Sequence, residues 1–191
     1  MNKQVYMDYS ATTYTKSEVL EEMLPFFTEN FGNPSSLYSF SDKTKKAVNL
    51  ARERVAKALN AEKNEIFFTS GGSEADNWAL KGIAYANKNK GNHIITTKIE
   101  HHAILHTAQF LEKEGFKVTY LPVDEEGFVS VEDVKTAITD ETILVSIMFA
   151  NNEIGTIEPI KEIGKLCKEK NIYFHTDAVQ AIGHVDIDVK I

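Results

Sequence analysis

Apolar and polar residues alternate along this chain with two different periods. Short, nearly continuous apolar runs, typical of strands buried on both faces, alternate with segments in which apolar residues recur every three or four positions, as in helices. The segment SDKTKKAVNLARERVAKALN is such a helix, with Ser41 as a plausible N-cap. Strands are expected near residues 65–69, 93–97, 117–121, 143–149 and 172–176. The alternation predicts an α/β fold with a mostly parallel sheet and flanking helices.

The hydrophobic pattern suggests a domain boundary, and the composition excludes several classes of protein. Residues 1–15 lack the alternation, so we expect an N-terminal arm in front of a domain that spans residues 16–191. The net charge of −7 argues against a nucleic-acid-binding protein, which usually carries a basic face. The single cysteine excludes an internal disulfide and fits a reducing compartment. With no signal-peptide core and no apolar run of membrane-spanning length, we expect a cytoplasmic protein.

Polar or glycine-rich segments follow four of the five predicted strands. They read TSGGSEADN, KIEHHAIL, NNEIG and DAVQ. In open α/β sheets, ligands bind at the carboxyl ends of the strands. We therefore expect these four segments to converge on one site.

The glycine turn predicts an anion site. Gly71 and Gly72 allow close approach of the backbone to a ligand, and Ser73 can cap the helix that follows. The N–H groups at a helix start favour an anion. The alternative is a simple Gly-Gly turn with a capping serine.

The histidines allow three interpretations. His102 and His106 are four residues apart and could share a helical face as metal ligands, but no third ligand lies nearby, so we expect no metal. His101 lies nearer the strand and is the better candidate for stacking on a flat aromatic ligand. The alternative is that all three are solvated loop histidines.

Amides and a carboxylate follow the last two strands. Asn151 and Asn152 can orient the polar substituents of a ligand, or can serve a turn that Gly155 completes. Asp177, at the end of the last strand, needs a partner if buried, and a protonated heterocyclic nitrogen would be one. The alternative is an N-cap for residues 178–182. An anion cradle, a stacking ring, amides and a carboxylate together suit pyridoxal phosphate.

The chain resembles the N-terminal half of the cysteine desulfurases, which are pyridoxal-phosphate enzymes of fold type I in the class V aminotransferase group. The matching stretches are YMDYSATT, FGNPSS, FTSGGSEADN, IEHHAIL, TILVSIMFANNEIGTI and HTDAVQAIGHVDID. SGGSEADN with EHHAIL is similar to the subgroup that supplies sulfur for iron–sulfur clusters and tRNA thiolation. The resemblance implies the large-domain sheet of these enzymes.

The resemblance implies a role for each matching residue at the phosphate and the ring. Gly72 and Ser73 would hold the cofactor phosphate; Ser73 stands where many members have threonine and keeps the hydroxyl. His101 would stack on the pyridine ring and help with proton transfer.

Three further roles follow from the same resemblance. Asn152 would reach the ring face and the substrate side. Asp177 would pair with the pyridinium nitrogen. Gln180 would hydrogen-bond the 3-hydroxyl of the ring.

Two family residues have no counterpart in residues 1–191. The Schiff-base lysine belongs to a Ser-Gly-His-Lys segment, which would follow the DIDVKI run that contains Lys190, and the persulfide-forming cysteine lies farther on. Cys167 stands in the middle of a predicted helix and looks structural. We therefore expect an incomplete domain without its last strands and small domain, which is inactive alone and binds the cofactor weakly.

The expected activity of the parent enzyme is conversion of L-cysteine to L-alanine, with sulfur passed as an enzyme persulfide to an acceptor or scaffold protein. The resemblance also implies a homodimer. Alternatives are a related pyridoxal-phosphate lyase, either a selenocysteine lyase or a kynureninase-like enzyme, and a non-catalytic binding or assembly fragment.

Overall fold

The computed structural model describes residues 4–190, and the chain divides into two compact units. Residues 4–68 with residues 187–190 form one unit, and Thr69–Asp186 forms the other. The first three residues of the predicted arm, and Ile191, lie outside the described residues. Residues 4–16 contain no helix or strand, and the first helix begins at Ser17. The boundary of the arm at residue 15 stays a prediction.

A four-stranded parallel sheet forms the centre of the second unit. Its strands are β1 (His93–Thr97), β2 (Lys117–Leu121), β3 (Thr142–Ser146) and β4 (Tyr173–His175). Their order is β2-β1-β3-β4, and each neighbouring pair is parallel. Every residue of β1 and β3 is buried, because both strands are covered on two faces. The predicted parallel α/β fold is confirmed.

The helices of the described residues are α1 (Ser17–Met23), α2 (Pro25–Thr28), α3 (Asp42–Leu59), α4 (Gly72–Ala86), α5 (His102–Lys113), α6 (Val131–Ala137) and α7 (Ile160–Glu169). The first three belong to the first unit and the other four surround the sheet. None of the helices in residues 4–190 has the length and apolar character needed to cross a membrane.

The core has two layers, one on each face of the sheet. Ile94 and Leu144 pack with residues of α4 and α5, whereas their neighbours Ile95 and Val145 pack with residues of α6 and α7. Successive residues of a strand point to opposite faces, so two adjacent apolar residues serve both layers. With helices packed on both faces, the carboxyl ends of the four parallel strands lie along one edge of the sheet.

The strand predicted at residues 65–69 is wrong. Residues 66–69 run as irregular backbone, and none of the four strands pairs with them within the described part of the chain. The Ile66 carbonyl instead accepts a hydrogen bond from Arg52, whose guanidinium lies 4.9 Å from the centre of the Phe68 ring. An apolar run becomes a strand only where a neighbouring strand accepts its backbone hydrogen bonds.

Two capping predictions also need correction. Ser41 precedes α3 as expected, but its side chain makes no capping hydrogen bond, and its buried Oγ has no partner within residues 4–190. Ser73 is the second residue of α4, because the helix begins at Gly72 and Gly71 is its N-cap. At the C-terminal end of α5, Gly115 follows the C-cap with φ +92°, a conformation that glycine adopts without strain.

Candidate functional site

The predicted site residues lie in the second unit, at or beyond the carboxyl ends of its strands. Ser73 begins α4, His101 follows β1, Asn152 follows β3, and Asp177 and Gln180 follow β4. Three contacts join the segments that carry them: Gly72 with Val179, Phe149 with Asp177, and Met148 with Glu100.

The N-terminus of α4 forms the candidate anion site. The first N–H groups of any helix have no partner inside it. Ser73 is exposed, so its hydroxyl reaches the same space. A Cβ built on Gly71 meets no atom within 4 Å, which shows open space before the helix start. The Glu74 side chain points back toward the residues before the helix. Its carboxylate accepts a hydrogen bond from the Ser70 N–H at 2.6 Å, which lowers the pKa of Glu74.

A close contact joins this helix start to the turn after β4. A Cβ on Gly72 would lie 2.9 Å from Cγ2 of Val179, closer than a normal contact. The Val179 N–H in turn donates a hydrogen bond to Oδ1 of Asp177 at 3.0 Å. A larger residue at position 72 would therefore require the exposed Val179 side chain to move, and the anion site and the Asp177 carboxylate lie on adjoining segments.

Asp177 is held by strand pairing that continues beyond β4. The Ile147 N–H donates to the His175 carbonyl at 3.1 Å, and the Phe149 N–H donates to the Asp177 carbonyl at 2.8 Å. The side chain of Asp177 is half-buried and caps a turn, not a helix, so the N-cap alternative is only partly right. Gln180 is half-buried in the same turn.

His101 is fixed by the helix that it begins. It is the N-cap of α5, and its Nδ1 accepts a hydrogen bond from the Ala103 N–H at 3.1 Å. An accepting Nδ1 leaves the proton of a neutral imidazole on Nε2. The ring is exposed, so Nε2 is available to a ligand or substrate. The capping hydrogen bond to Nδ1 thus leaves Nε2 as the nitrogen that can transfer a proton.

Glu100 ties this loop to the end of β3. Its Oε1 accepts hydrogen bonds from Thr97 Oγ1 at 2.7 Å and from the Met148 N–H at 3.0 Å. Its Oε2 is buried without a hydrogen-bond partner in residues 4–190. Burial raises the pKa of Glu100 to about 8. Glu100 therefore carries its proton at neutral pH and acts as a neutral tether beside His101.

Replacing Glu100 with Gln will preserve the fold and flatten its pH dependence. The folded-state pKa is about 8 against an ordinary 4.5, so the stabilising contribution is fully present below about pH 4.5 and is lost as the pH rises through about 8. The amide imitates the neutral acid but cannot ionise. From about pH 5 to about pH 8, the native protein will therefore lose stability relative to Glu100→Gln. Thermal unfolding at each pH will show this as a difference in the free energy of unfolding that grows by up to about 1.4 kcal/mol per pH unit. Parallel profiles for Glu100→Gln and the native protein would show that Glu100 is ionised; exposed Glu114→Gln is the matched control.

The two asparagines after β3 have different positions. Asn151 is buried; its Nδ2 donates to the Ile99 carbonyl at 3.0 Å, and its Oδ1 accepts from the Glu153 and Ile154 N–H groups. It serves the turn, which Gly155 completes with φ +81°. Asn152 is half-buried, and its amide makes no hydrogen bond within the described residues. The structure thus leaves Asn152, and not Asn151, for a ligand.

Other candidate groups are less suited to chemistry. The rings of His102 and His106 lie 5.3 Å apart, but residues 4–190 contain no group of three or more His, Cys, Asp or Glu side chains that could hold a metal. Cys167 is fully buried, and burial raises the pKa of its thiol to about 11, which makes it a poor nucleophile. Lys190 forms a 3.0 Å ion pair with Glu62 in the first unit.

A cavity of about 790 Å³ lies at the opposite end of the sheet. Residues that line it, Thr142 and Tyr173 among them, begin β3 and β4, and none of the predicted site residues takes part. The donor set at the carboxyl edge is better suited to a phosphorylated heterocycle, because it offers a helix start, a hydroxyl, an imidazole and a carboxylate.

The sequence matches the family described as "Aminotransferase class-V" over residues 5–191. The chain belongs to the class V aminotransferases. Among relatives of this family, "Cysteine desulfurase IscS" of Clostridium botulinum (strain Kyoto / Type A2) is 96% identical over 190 residues, which are 100% of this chain and 48% of that protein. The chain thus spans about half the length of the relatives that it matches.

Solved structures of class V aminotransferase relatives have the same fold. A "NIFS-like protein" superposes with a TM-score of 0.95 at 43% identity and covers 98% of this chain and 52% of its own. "SspA in complex with cysteine" superposes with a TM-score of 0.94, also at 43% identity, and covers 97% of this chain and 53% of its own.

Sequence reasoning missed two residues near this edge, the buried Asp76 on α4 and the half-buried His175 on β4. Asp76 is 4% exposed, and its Oδ1 lies 3.6 Å from Nε2 of His175. One signal was available, since His175 stands two residues before Asp177 and therefore shares its strand face. The approach of Asp76 is a tertiary contact that sequence spacing does not reveal.

Proposed function

We propose that the protein containing this chain is a pyridoxal-phosphate-dependent cysteine desulfurase, and that residues 16–191 are part of its cofactor-binding domain. It would convert L-cysteine to L-alanine and pass the sulfur, as an enzyme persulfide, to acceptor or scaffold proteins for iron–sulfur cluster assembly or tRNA thiolation. The observation that carries the proposal is the contact between Gly72 and Val179, which joins an anion-binding helix start to the turn that holds Asp177.

The residues present fit pyridoxal phosphate in charge and in donor type. The start of α4, with open space before Gly71 and the exposed hydroxyl of Ser73, suits a phosphate dianion. The Asp177 carboxylate suits a protonated ring nitrogen. The imidazole of His101 suits the face of a flat ring.

When bound, pyridoxal phosphate supplies an electron sink for the carbon atoms of an amino acid substrate. Gly72 and Ser73 would bind the phosphate, and Asp177 would hold the proton on the ring nitrogen. His101 would stack on the ring and move a proton through Nε2, because its Nδ1 is occupied by the Ala103 N–H.

Gln180 would donate a hydrogen bond to the 3-hydroxyl oxygen, and Asn152 would orient groups on the substrate side. Both residues are half-buried, so a ligand could contact their side chains.

Substrate and partners are proposed on the basis of the relatives. The name of the Clostridium botulinum protein assigns it cysteine desulfurase activity, and SspA was solved with cysteine. A homodimer and a cytoplasmic location remain predictions from the sequence.

Replacing His101 with Asn in the full-length polypeptide tests the proposed activity. Asn retains a side-chain acceptor suited to the N-cap of α5 but removes the ring and its transferable proton. With pyridoxal phosphate and L-cysteine, we expect kcat for sulfide and L-alanine formation to fall by at least about 100-fold, as for loss of a general acid–base.

The control replaces exposed His106, one turn farther along the same helix, with Asn. It should retain activity within about twofold, since it alters no group at the strand edge. Turnover of selenocysteine or kynurenine without turnover of L-cysteine would contradict the proposed substrate. Full activity of His101→Asn would contradict the proposed role of the ring.

A further inference from the structure

Three acidic side chains lie close together behind the carboxyl edge of the sheet: Asp76, Glu100 and Asp177. The charge of Asp177 contributes to raising the pKa of each of the other two, so Asp177 interacts electrostatically with both. Asp76 and Glu100 are buried, whereas Asp177 is half-buried at the edge. Burial disfavours the charged form of a carboxyl group, and adjacent negative charges disfavour it further. Asp177 is the least buried of the three carboxyl groups.

Asp76 reaches the back of this group from α4. It lies one helical turn beyond Ser73, so it lies on the same face of the helix as the candidate phosphate ligand. Its Oδ1 lies 3.6 Å from Nε2 of His175, and the two side chains are only 6% and 15% exposed. This distance exceeds that of a hydrogen bond, so the two groups are close but not tightly ion-paired.

His175 connects Asp76 to the strand that carries Asp177. Its Nδ1 lies 2.9 Å from Ser146 Oγ on β3, and its backbone carbonyl accepts from the Ile147 N–H. Because strand pairing continues to Asp177, residues 175 and 177 point to the same face. The His175 side chain thus lies between Asp76 on α4 and Ser146 on β3, on the strand that leads to Asp177.

Burial favours the neutral form of both partners. It raises the pKa of Asp76 to about 7, with a further contribution from Asp177, and it lowers the pKa of His175 to about 4. Within residues 4–190, Asp177 is the charged side chain that shifts the pKa of both groups, and Ser146, which contacts His175, is neutral. Between these two values, at about pH 6, the pair therefore carries its proton on Asp76 and leaves His175 uncharged.

We propose that Asp76 and His175 are positioning residues for Asp177: a neutral acid and a neutral imidazole that hold the end of β4 and keep the negative charge on Asp177 alone. This inference rests on the proposed function, because Asp177 is taken to hold the ring nitrogen of pyridoxal phosphate. An ionised Asp76 would place a second negative charge behind Asp177, so the two carboxylates would compete for the ring proton.

The proposal predicts which nitrogen of His175 carries the proton. If Asp76 is the acid, its proton faces Nε2, so the ring proton must lie on Nδ1 and be donated to Ser146 Oγ. An ion pair would protonate both nitrogens, and an ionised Asp76 beside a neutral ring would place the proton on Nε2.

Nitrogen-15 NMR of the cofactor-free, full-length protein at about pH 6, below the raised pKa of Asp76 and above the lowered pKa of His175, tests this directly, with His175→Gln used to assign the signal. The Nδ1-protonated neutral ring is the expected result. An imidazolium, or a ring protonated on Nε2, would overturn the proposal without any measurement of cofactor binding.

Pyridoxal phosphate affinity provides the second test, with two variants of Asp76. Asp76→Asn presents an N–H to Nε2 as the neutral acid does, so its dissociation constant should stay within about twofold of the native value. Asp76→Ala removes the polar group that faces Nε2 of His175 and should weaken binding by about 5- to 10-fold. Rescue by Asn, which cannot carry a negative charge, is what distinguishes a neutral positioning role from a charged one.

The matched controls are Asp133→Asn and Asp133→Ala, at an exposed helical position on α6. Native affinity in Asp76→Ala, or equal losses in the Asn and Ala variants, would overturn the positioning role while leaving the proposed function intact. Failure of the native full-length protein to bind pyridoxal phosphate would overturn the proposed function and this role together.

Discussion

Replacing Asp177 with Asn will weaken pyridoxal phosphate binding by the full-length protein by about 10- to 100-fold. Asn has the same shape and can still accept the Val179 N–H, so the turn is preserved. What is lost is the negative charge opposite the protonated ring nitrogen. Hydrogen bonds to charged groups contribute about 1.5–3 kcal/mol, which corresponds to that range of affinity.

The measurement is a titration of the cofactor-free protein with pyridoxal phosphate, followed by absorbance or fluorescence. The control is Asp186→Asn, which removes the same charge from an exposed position. If both variants bind like the native protein, Asp177 does not hold the ring nitrogen. If both weaken binding equally, the effect comes from net charge and not from a specific contact.

Replacing Leu144 with Ala will lower the free energy of unfolding by about 3 kcal/mol, within the range of about 2–5 kcal/mol found for buried leucines. Leu144 is fully buried at the centre of β3 and packs in the layer formed with α4 and α5. The substitution removes apolar contact and leaves a cavity that the parallel sheet can close only partly.

Thermal unfolding or chemical denaturation of the full-length protein measures this loss. Leu37→Ala is the matched control, because Leu37 is fully exposed and the same truncation there should change stability by less than about 0.5 kcal/mol. Equal effects at the two positions would show that the layer containing Leu144 is not a cooperative core.

The sequence predicted the sheet where apolar runs coincide with burial. β1 and β3 each carry adjacent apolar residues, Ile94–Ile95 and Ile143–Val145, which a strand buried on both faces of a parallel sheet requires. Residues 65–69 have a similar composition but form no strand, because composition reports the tendency to be buried and not the presence of a hydrogen-bonding neighbour. Helix starts were also less certain: Ser73 is inside α4 because Gly71 occupies the N-cap position.

The candidate site was predictable to the extent that it follows from topology. Asp177 and His101 were identified because parallel strands place their carboxyl ends at one edge. The roles of Asp76 and Glu100 depend on burial and on partners far away in the sequence, such as Met148 and His175. The different positions of Asn151 and Asn152 depend on which of two adjacent amides the turn uses.

The close approach of Gly72 to Val179 also constrains how this site can evolve. A methyl group at position 72 would lie too close to Cγ2 of Val179, so a larger residue there requires the valine side chain to move or to be replaced by a smaller one. A substitution at the anion-binding end of the candidate pocket would therefore also disturb the turn that holds Asp177. We expect substitutions at positions 72 and 179 to affect one another although more than a hundred residues separate them along the chain.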